Sequence, residues 1–181
     1  MASCLPRGHD FSPARRRTVL SALTGLMSAG TILALSGCAA PPPPPPPPTI
    51  VYVQIVTTTD VNALPGAPGA PLAVRVYQLA SSAGFLGAEF YPLYSADSVA
   101  LGADRLKKDE MVMAPSATKT LMLTPSDQVK SIGVFAAYQT FQAVTWRAAA
   151  DIPPNTTTTF TVTASATGLK LVATPGKPVS P

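Results

Sequence analysis

Histidine and cysteine are nearly missing from this chain. Its 181 residues include one histidine, His9, and two cysteines, Cys4 and Cys38, so neither residue type occurs after position 38. The sequence beyond Cys38 therefore cannot supply histidine acid–base catalysis, a cysteine nucleophile or a zinc site built from these ligands. Disulfide bonds are excluded from that part as well, whatever the redox state of its compartment.

Charged side chains are also scarce. Four of the 13 basic residues and one of the nine acidic residues precede Cys38, so nine basic and eight acidic residues follow it. The formal net charge thus falls from +4 for the whole chain to about +1 for that part. The longest basic run left, Lys107-Lys108, is followed at once by Asp109-Glu110. Nucleic-acid binding requires clustered cations to neutralise phosphates, and the sequence does not favour it.

What the sequence does contain, near its start, is the pattern of a bacterial lipoprotein signal peptide. Arg15–Arg17 precede an uncharged apolar segment, Thr18–Leu35, which ends in Leu35-Ser36-Gly37-Cys38. A basic patch, an apolar run and small residues before a cysteine are typical of such peptides. We therefore expect residues 1–37 to be removed and Cys38 to carry the acyl chains, as diacylglycerol and palmitate. A membrane-spanning anchor is the alternative for this segment, and the export route, Sec or twin-arginine, stays open.

An unbroken run of eight prolines, Pro41–Pro48, follows the predicted lipid site. Proline fixes φ and has no backbone N–H, so the run predicts a polyproline II rod of roughly 25 Å, at about 3.1 Å per residue. Residues 38–49 are thus interpreted as a lipidated cysteine and a stiff spacer. Residues 175–181 predict a disordered tail, and residues 50–174 are enough for one domain with its own core.

The predicted domain is all-β, an antiparallel sandwich of two sheets with about eight short strands. Residues 80–110 differ, because apolar residues there recur every three or four positions, and they predict a small helical insert in which Asp104 caps a short helix through Lys108. The β-branched and alternating segments predict strands at 50–56, 72–79, 111–113, 119–123, 131–138, 143–147, 156–163 and 169–172. A Pro/Gly-rich loop, 61–71, is too long for a hairpin turn, so it is either a mobile connector or a functional segment.

The ordered motifs of this domain resemble a known family, the outer-membrane lipoprotein of the bacterial type VI secretion system, TssJ. The resemblance covers nearly all of residues 50–172. It is carried by the cysteine motif at 35–38 and by Val74–Leu79, Phe85, Phe90–Tyr94, Leu101–Asp104, Met111–Pro115, Ile132–Tyr138 and Trp146-Arg147. One departure is Gln139, at a position where arginine is common in the family.

The resemblance implies a transthyretin-like β-sandwich on a non-enzymatic lipoprotein that is anchored in the outer membrane and faces the periplasm. It implies docking on the periplasmic C-terminal region of the large inner-membrane subunit, TssM, in a complex that also includes TssL. It implies no cofactor. The contact region is the loop after the first strand, here Val61, Asn62, Ala63, Leu64, Pro65, Gly66, Ala67, Pro68, Gly69 and Ala70, with Asn62 and Leu64 as the foremost candidates.

Two other classes of function stay open on the sequence. The same sandwich could serve a lipoprotein that binds a small ligand or a glycan, which an enclosed apolar cavity would favour. An envelope enzyme would have to rely on a Ser/Lys pair or on paired carboxylates. Asp104, Asp109 and Glu110 lie close in sequence, but without a histidine they predict a solvated turn rather than a metal or acid–base site.

Overall fold

The computed structural model describes residues 43–176 of the chain. The predicted signal peptide and lipid site, including Cys38, and most of the predicted tail lie outside the described residues. Pro43–Pro48 are exposed and belong to no helix or strand, so the rod stays a prediction. The elements are β1 Ile50–Thr57, β2 Leu72–Leu79, α1 Ala83–Gly87, α2 Phe90–Leu101, a 3-10 turn Gly102–Asp104, β3 Arg105–Met113, β4 Thr118–Leu123, β5 Ser131–Ala136, a 3-10 turn Phe141–Ala143, β6 Arg147–Asp151, β7 Thr157–Ser165 and β8 Gly168–Pro175.

Two four-stranded sheets form the domain, which confirms the predicted sandwich of eight strands. One sheet has the strand order β4-β1-β7-β8 and the other the order β3-β2-β5-β6. Neighbouring strands are antiparallel with one exception, since β1 and β7 run parallel over their whole length, from Ile50 beside Thr157 to Thr57 beside Ala164. The expectation of a purely antiparallel sandwich was wrong for this pair. A parallel neighbour is possible here because β1 and β7 are separated by most of the chain.

The main core lies between the sheets and consists of alternate residues of the central strands. In β1 the buried members are Val51, Val53, Ile55 and Thr57, and the residues between them are half-buried. This period of two is what a sheet with one packed face produces. The apolar residues on both faces of the segment 131–138 predict a central strand, and β5 is indeed buried at every position and lies between β2 and β6.

A second apolar cluster lies on the other face of the β3-β2-β5-β6 sheet, beneath α1 and α2. Tyr77 and Leu79 of β2 pack there with Phe85 of α1, Phe90 of α2 and Phe135 of β5, and all five are buried. The predicted helical insert is therefore present. Alternation in β2 predicts one buried face and one partly solvated face formed by Ala73, Arg75 and Tyr77. This prediction is wrong for Tyr77, which has no exposed surface. Sequence alternation shows that a strand has two faces, but it does not show what covers the second one.

The insert is shorter than predicted. It ends at Asp104, and residues 105–110 belong to β3, which pairs with β2 from Leu79 beside Arg105 to Leu72 beside Met113. The predicted helix from Asp104 through Lys108 was therefore wrong. β3 is the edge strand of its sheet, and charged side chains are common on such edges because they deter pairing with other chains. The charges of residues 105–110 belong to an edge strand rather than to a solvated helix.

Two further boundaries differ from the expectation. β6 begins at Arg147, where the predicted strand ended, because Phe141–Ala143 form a 3-10 turn in the preceding segment. Pro175, the first residue of the predicted tail, still pairs with Thr158 in β8. Neither α1 nor α2 could cross a bilayer, and no other helix of residues 43–176 is long and apolar enough to do so.

The strand directions give the sandwich two distinct ends. The chain passes from Thr49 into β1 at one end, here called the entry end. The opposite end, here called the loop end, lies at the finish of β1, roughly 26 Å away for a strand of eight residues. Strand pairing gathers four connections at the loop end, namely 58–71, 114–117, 137–146 and 166–167.

Candidate functional site

The loop 58–71, at the loop end, is attached to the sandwich through Asn62. This side chain is 6% exposed, and its Nδ2 donates a hydrogen bond to the carbonyl oxygen of Pro71 at 2.9 Å. Its Oδ1 accepts a bond from the backbone N–H of Gln139 at 2.9 Å, and Gln139 Nε2 donates to the carbonyl oxygen of Asn62 at 3.1 Å. Asn62 has a φ of 54°, a left-handed conformation that asparagine tolerates better than most residues.

Other contacts close the loop on itself. Val61 is fully buried in the main core, and its carbonyl oxygen accepts a hydrogen bond from the N–H of Ala70 at 2.9 Å. Gly69 approaches the opposite arm so closely that a Cβ there would lie 2.2 Å from the carbonyl oxygen of Thr59. The backbone N–H of Thr58 donates to the carbonyl oxygen of Ala164 in β7. These contacts favour a loop of defined shape over a mobile connector.

The structure divides the predicted contact residues into two groups. Val61 and Asn62 face inward, and Asn62 holds the loop in place rather than presenting a surface. Leu64 has 45% of its surface exposed. Residues 65–68 are exposed as well, whereas Ala63, Gly69 and Ala70 are half-buried. The surface that a partner could touch is therefore centred on residues 63–68, and contact by these residues stays a prediction.

A groove of about 520 Å³ runs beside the exposed part of this loop and is open to solvent. One wall is residues 63–67, and the others come from the β5–β6 connection and the β7–β8 turn. These two segments are joined, because the N–H of Leu169 donates to the carbonyl oxygen of Thr145 at 2.7 Å. Gly168 makes this join possible, since a Cβ there would lie 2.6 Å from Thr145 backbone atoms. Sequence reasoning missed this groove because its walls are far apart in the chain.

The loop end carries almost no charge. Across the four described segments 58–71, 114–117, 137–146 and 166–167, Asp60 is the one charged residue. Its carboxylate accepts a hydrogen bond from the hydroxyl of Thr58. The surface that remains is formed by alanine, proline, glycine, leucine and valine, by the half-buried Phe141 and Trp146, and by uncharged polar residues.

The salt bridges of residues 43–176 lie instead where α2 packs on β2 and β3. The Asp97 carboxylate accepts a hydrogen bond from the hydroxyl of Tyr77 at 2.9 Å and pairs with Lys108 at 3.1 Å and Arg105 at 3.6 Å. Burial alone would raise the pKa of Asp97, but the bonds from Lys108 and Tyr77 and the two positive charges together lower it. Burial and the neighbouring Asp97 raise the pKa of Tyr77. This cluster joins helix to sheet and lies outside the groove.

Trp146 and Arg147 also fasten the insert rather than forming a separate site. The Arg147 guanidinium lies 4.5 Å from the centroid of the Trp146 ring and donates hydrogen bonds to the carbonyl oxygens of Phe85 and Ala88. Burial lowers the pKa of Arg147. The Trp146 ring packs edge-on against Phe90 at 5.2 Å.

No arrangement typical of an enzyme is evident in the described part of the chain. The sequence has one Ser-x-x-Lys match after Cys38, Ser116 to Lys119, but Ser116 lies in the β3–β4 turn with a φ of 58° and Lys119 lies in the edge strand β4. The pattern is thus not carried by a helix. Within residues 43–176 no three His, Cys, Asp or Glu side chains converge to form a possible metal site.

A family model described as type VI secretion lipoprotein, including VasD, EvfM and TssJ, matches residues 49–167. The crystal structure of the type VI lipoprotein TssJ1 from Pseudomonas aeruginosa is 28% identical, covers 72% of this chain and 100% of that one, and has a TM-score of 0.68. The Lip protein of Serratia marcescens, a membrane-bound component of the type VI secretion system, is also 28% identical, with 69% and 98% coverage and a TM-score of 0.64.

A third solved chain shares the fold at lower identity. It comes from a structure described as the TssM C-terminal domain from EAEC, and it is 22% identical, with coverage of 67% of this chain and 99% of that one and a TM-score of 0.58. No curated protein matches the chain.

Proposed function

This chain belongs to the type VI secretion lipoprotein family that includes TssJ, and we propose that it tethers a type VI secretion complex to the outer membrane. In this proposal the acyl chains on Cys38 hold the protein in the membrane. The loop end of the sandwich docks on the periplasmic C-terminal region of a TssM-like inner-membrane subunit, which a TssL-like subunit joins indirectly. The role is non-enzymatic and requires no cofactor.

The observation that carries the proposal is the opposition of the two ends. The spacer leads to Thr49 and into the entry end, whereas the loop 58–71 lies at the other end of β1. A lipid attached before the spacer would therefore hold the domain by the entry end and leave the loop end free. One end for the membrane and one end for a partner is what a tether needs.

The shape of the loop also supports docking. Binding by a flexible segment loses affinity because the segment must be ordered, at about 0.5–1.5 kcal/mol for each immobilised side chain. The bonds of Asn62 to Pro71 and Gln139 order this loop before any partner arrives. Pro65, Pro68 and Pro71 restrict its unbound conformations further.

The test is an affinity pull-down from detergent-solubilised envelopes with C-terminally tagged protein. Wild type is compared with a variant in which the outward-facing residues 63–68 are replaced by a Gly/Ser linker of equal length, so that Val61 and Asn62 are kept, and folding of both is checked by thermal unfolding. We expect a large inner-membrane protein to copurify with wild type and to be lost from the folded variant. If both proteins capture the inner-membrane protein equally, the loop is not the contact region. If wild type captures no inner-membrane protein, the proposed tethering role is wrong.

The anchor is tested separately with Cys38→Ser. The variant should be soluble and misplaced and should still bind the partner in vitro, while secretion should fail. Normal secretion from this variant would contradict the anchoring role. Separation of inner from outer membranes on a density gradient tests the membrane assignment for wild type.

A further inference from the structure

We propose that the groove at the loop end is part of the docking surface and that it accepts an uncharged, apolar segment of the partner. This inference rests on the proposed function. It adds the β5–β6 connection and the β7–β8 turn to the loop, and it specifies the chemistry of the partner surface.

The groove has the size and position that such a contact requires. At about 520 Å³ it lies within the range of pockets that bind small molecules, so it has room for side chains of a partner. It is continuous with the exposed part of the loop, because Leu64 forms one wall while Ala143 and Ala166 lie on the others. A partner that touches residues 63–67 therefore meets the groove in the same approach.

The chemistry of the groove excludes a strongly charged ligand. None of its lining residues is charged. A charge entering it would lose water without gaining an oppositely charged partner, which is unfavourable. Uncharged apolar side chains have no such desolvation cost, and each CH₂ group that is buried stabilises the complex by about 0.8 kcal/mol.

The groove is also fixed in shape before binding. Its loop wall is held by Asn62 and Gln139, and its other two walls are joined by the bond between Leu169 and Thr145. Both attachments consist of neutral hydrogen bonds. The loop end is thus held together without ion pairs among the described residues, and Asp60 is the one charge that its segments bring to the surface.

The proposal is tested with the full mature chain, purified in detergent, and the purified periplasmic C-terminal region of the TssM-like subunit as the probe. The dissociation constant is measured at low and at high NaCl concentration. We expect the dissociation constant to change by less than about 3-fold between 50 and 500 mM NaCl, because no charge pairs are formed at the groove. Exposed charge pairs are strongly screened over this range.

Charge is then placed in the groove at two positions. Ala143→Asp, Ala143→Lys, Ala166→Asp and Ala166→Lys should each weaken binding by about 10-fold or more, because either sign must be desolvated. Ala143 is exposed, so its variants are expected to fold even if those at the half-buried Ala166 do not. The matched controls are Ala103→Asp and Ala103→Lys, at an exposed alanine of the 3-10 turn after α2, where binding should stay within about 2-fold.

The outcomes distinguish failure of this inference from failure of the proposed function. If wild type binds and the Gly/Ser loop variant does not, but the Ala143 variants bind normally, the groove is not a contact and the tether stands. If one sign of charge strengthens binding, or if salt weakens it steeply, the partner surface is charged and the inference is wrong. If wild type does not bind the probe, the proposed function fails and the inference fails with it.

Discussion

The loop 58–71 and the insert 83–104 are held on the same sandwich by different chemistry. The loop is held by neutral hydrogen bonds around Asn62. The insert is held by aromatic packing around Phe90 and by the ionic cluster of Asp97, Arg105 and Lys108. Both attachments use the β5–β6 connection, through Gln139 for the loop and through Phe141 and Trp146 for the insert, but they share no residue.

The difference indicates where this molecule can tolerate charge. An ionic cluster is acceptable beneath α2, because that face of the sheet is already covered and its charges are paired with one another. At the loop end the same cluster would leave a charged surface that a partner must desolvate. We infer that changes to the insert affect mainly folding, whereas changes to the loop affect mainly docking, and the following predictions test this division.

The largest effect is expected from Phe90→Ala. The ring is 9% exposed and contacts Phe135, Phe141 and Trp146 at centroid distances between 4.0 and 5.3 Å. Its removal leaves a cavity between insert and sheet and should lower the free energy of unfolding by about 3–5 kcal/mol. Urea denaturation followed by tryptophan fluorescence measures the change.

The control for Phe90→Ala is Val99→Ala on the same helix. Val99 is 83% exposed, so this variant should stay within about 0.5 kcal/mol of wild type. Equal losses from the two variants would mean that the insert does not pack as described.

Asp97→Asn is expected to cause the second largest loss in the free energy of unfolding. The change keeps the shape of the side chain but removes the charge that faces Lys108 and Arg105. Hydrogen bonds to charged groups contribute about 1.5–3 kcal/mol each, and a loss of this size in the free energy of unfolding is expected. Affinity for the partner should be unchanged, and a loss of binding would break the division between insert and loop.

The ionic cluster also predicts how stability depends on pH. The pKa values of Asp97 and Glu110 are lowered in the folded state, against the effect of burial, by their bonds to cations. The unfolded chain therefore binds more protons, so stability should fall as pH decreases from about 5 toward 2. Asp97→Asn should make this fall shallower, and an unchanged slope in urea titrations would contradict the assignment.

Asn62→Ala should have a smaller effect on folding and a larger one on docking. It removes the bonds to Pro71 and Gln139 and should lower the free energy of unfolding by about 1–2 kcal/mol. Because the loop must then be ordered on binding, affinity should fall by about 2- to 10-fold. Titration calorimetry with the periplasmic C-terminal region of the TssM-like subunit measures this affinity.

Asn62→Gly is the matched variant. Glycine tolerates the φ of 54° but makes neither side-chain bond, so it separates backbone strain from lost hydrogen bonding. Normal affinity in both variants would show that docking does not need the ordered loop.

The smallest effect is expected from Glu110→Gln. Glu110 pairs with Arg75 at 3.2 Å and with Lys108 at 3.3 Å, but its side chain is 44% exposed. Solvent-exposed pairs of this kind contribute about 0.2–1 kcal/mol. If the free energy of unfolding falls as much as in Asp97→Asn, exposure to solvent does not weaken the ion pairs of Glu110.

The local pattern of apolar and polar residues made much of the fold predictable from the sequence. The alternating residues at its start identified β2 with its correct ends, although burial alternates only from Leu72 to Val76, and β5 was recognisable from apolar residues on both faces. Residues 105–110 were assigned to a helix because an edge strand need not alternate, and its charges resemble those of a solvated helix. The loop was visible as a Pro/Gly-rich segment, but the inward orientation of Asn62 and the groove depend on Gln139 and Ala166, which are distant in sequence.

The parallel pairing of β1 with β7 has a mechanical consequence. In the proposed tether, tension would enter at the start of β1 and leave through the loop at its end, so the load would run along the strand axis. β1 lies between β4 and β7 and is hydrogen-bonded to both. Under axial load these bonds are sheared together rather than opened one after another. The strand that joins membrane to partner is thus a central strand, and its extraction would break its bonds to both neighbours at once.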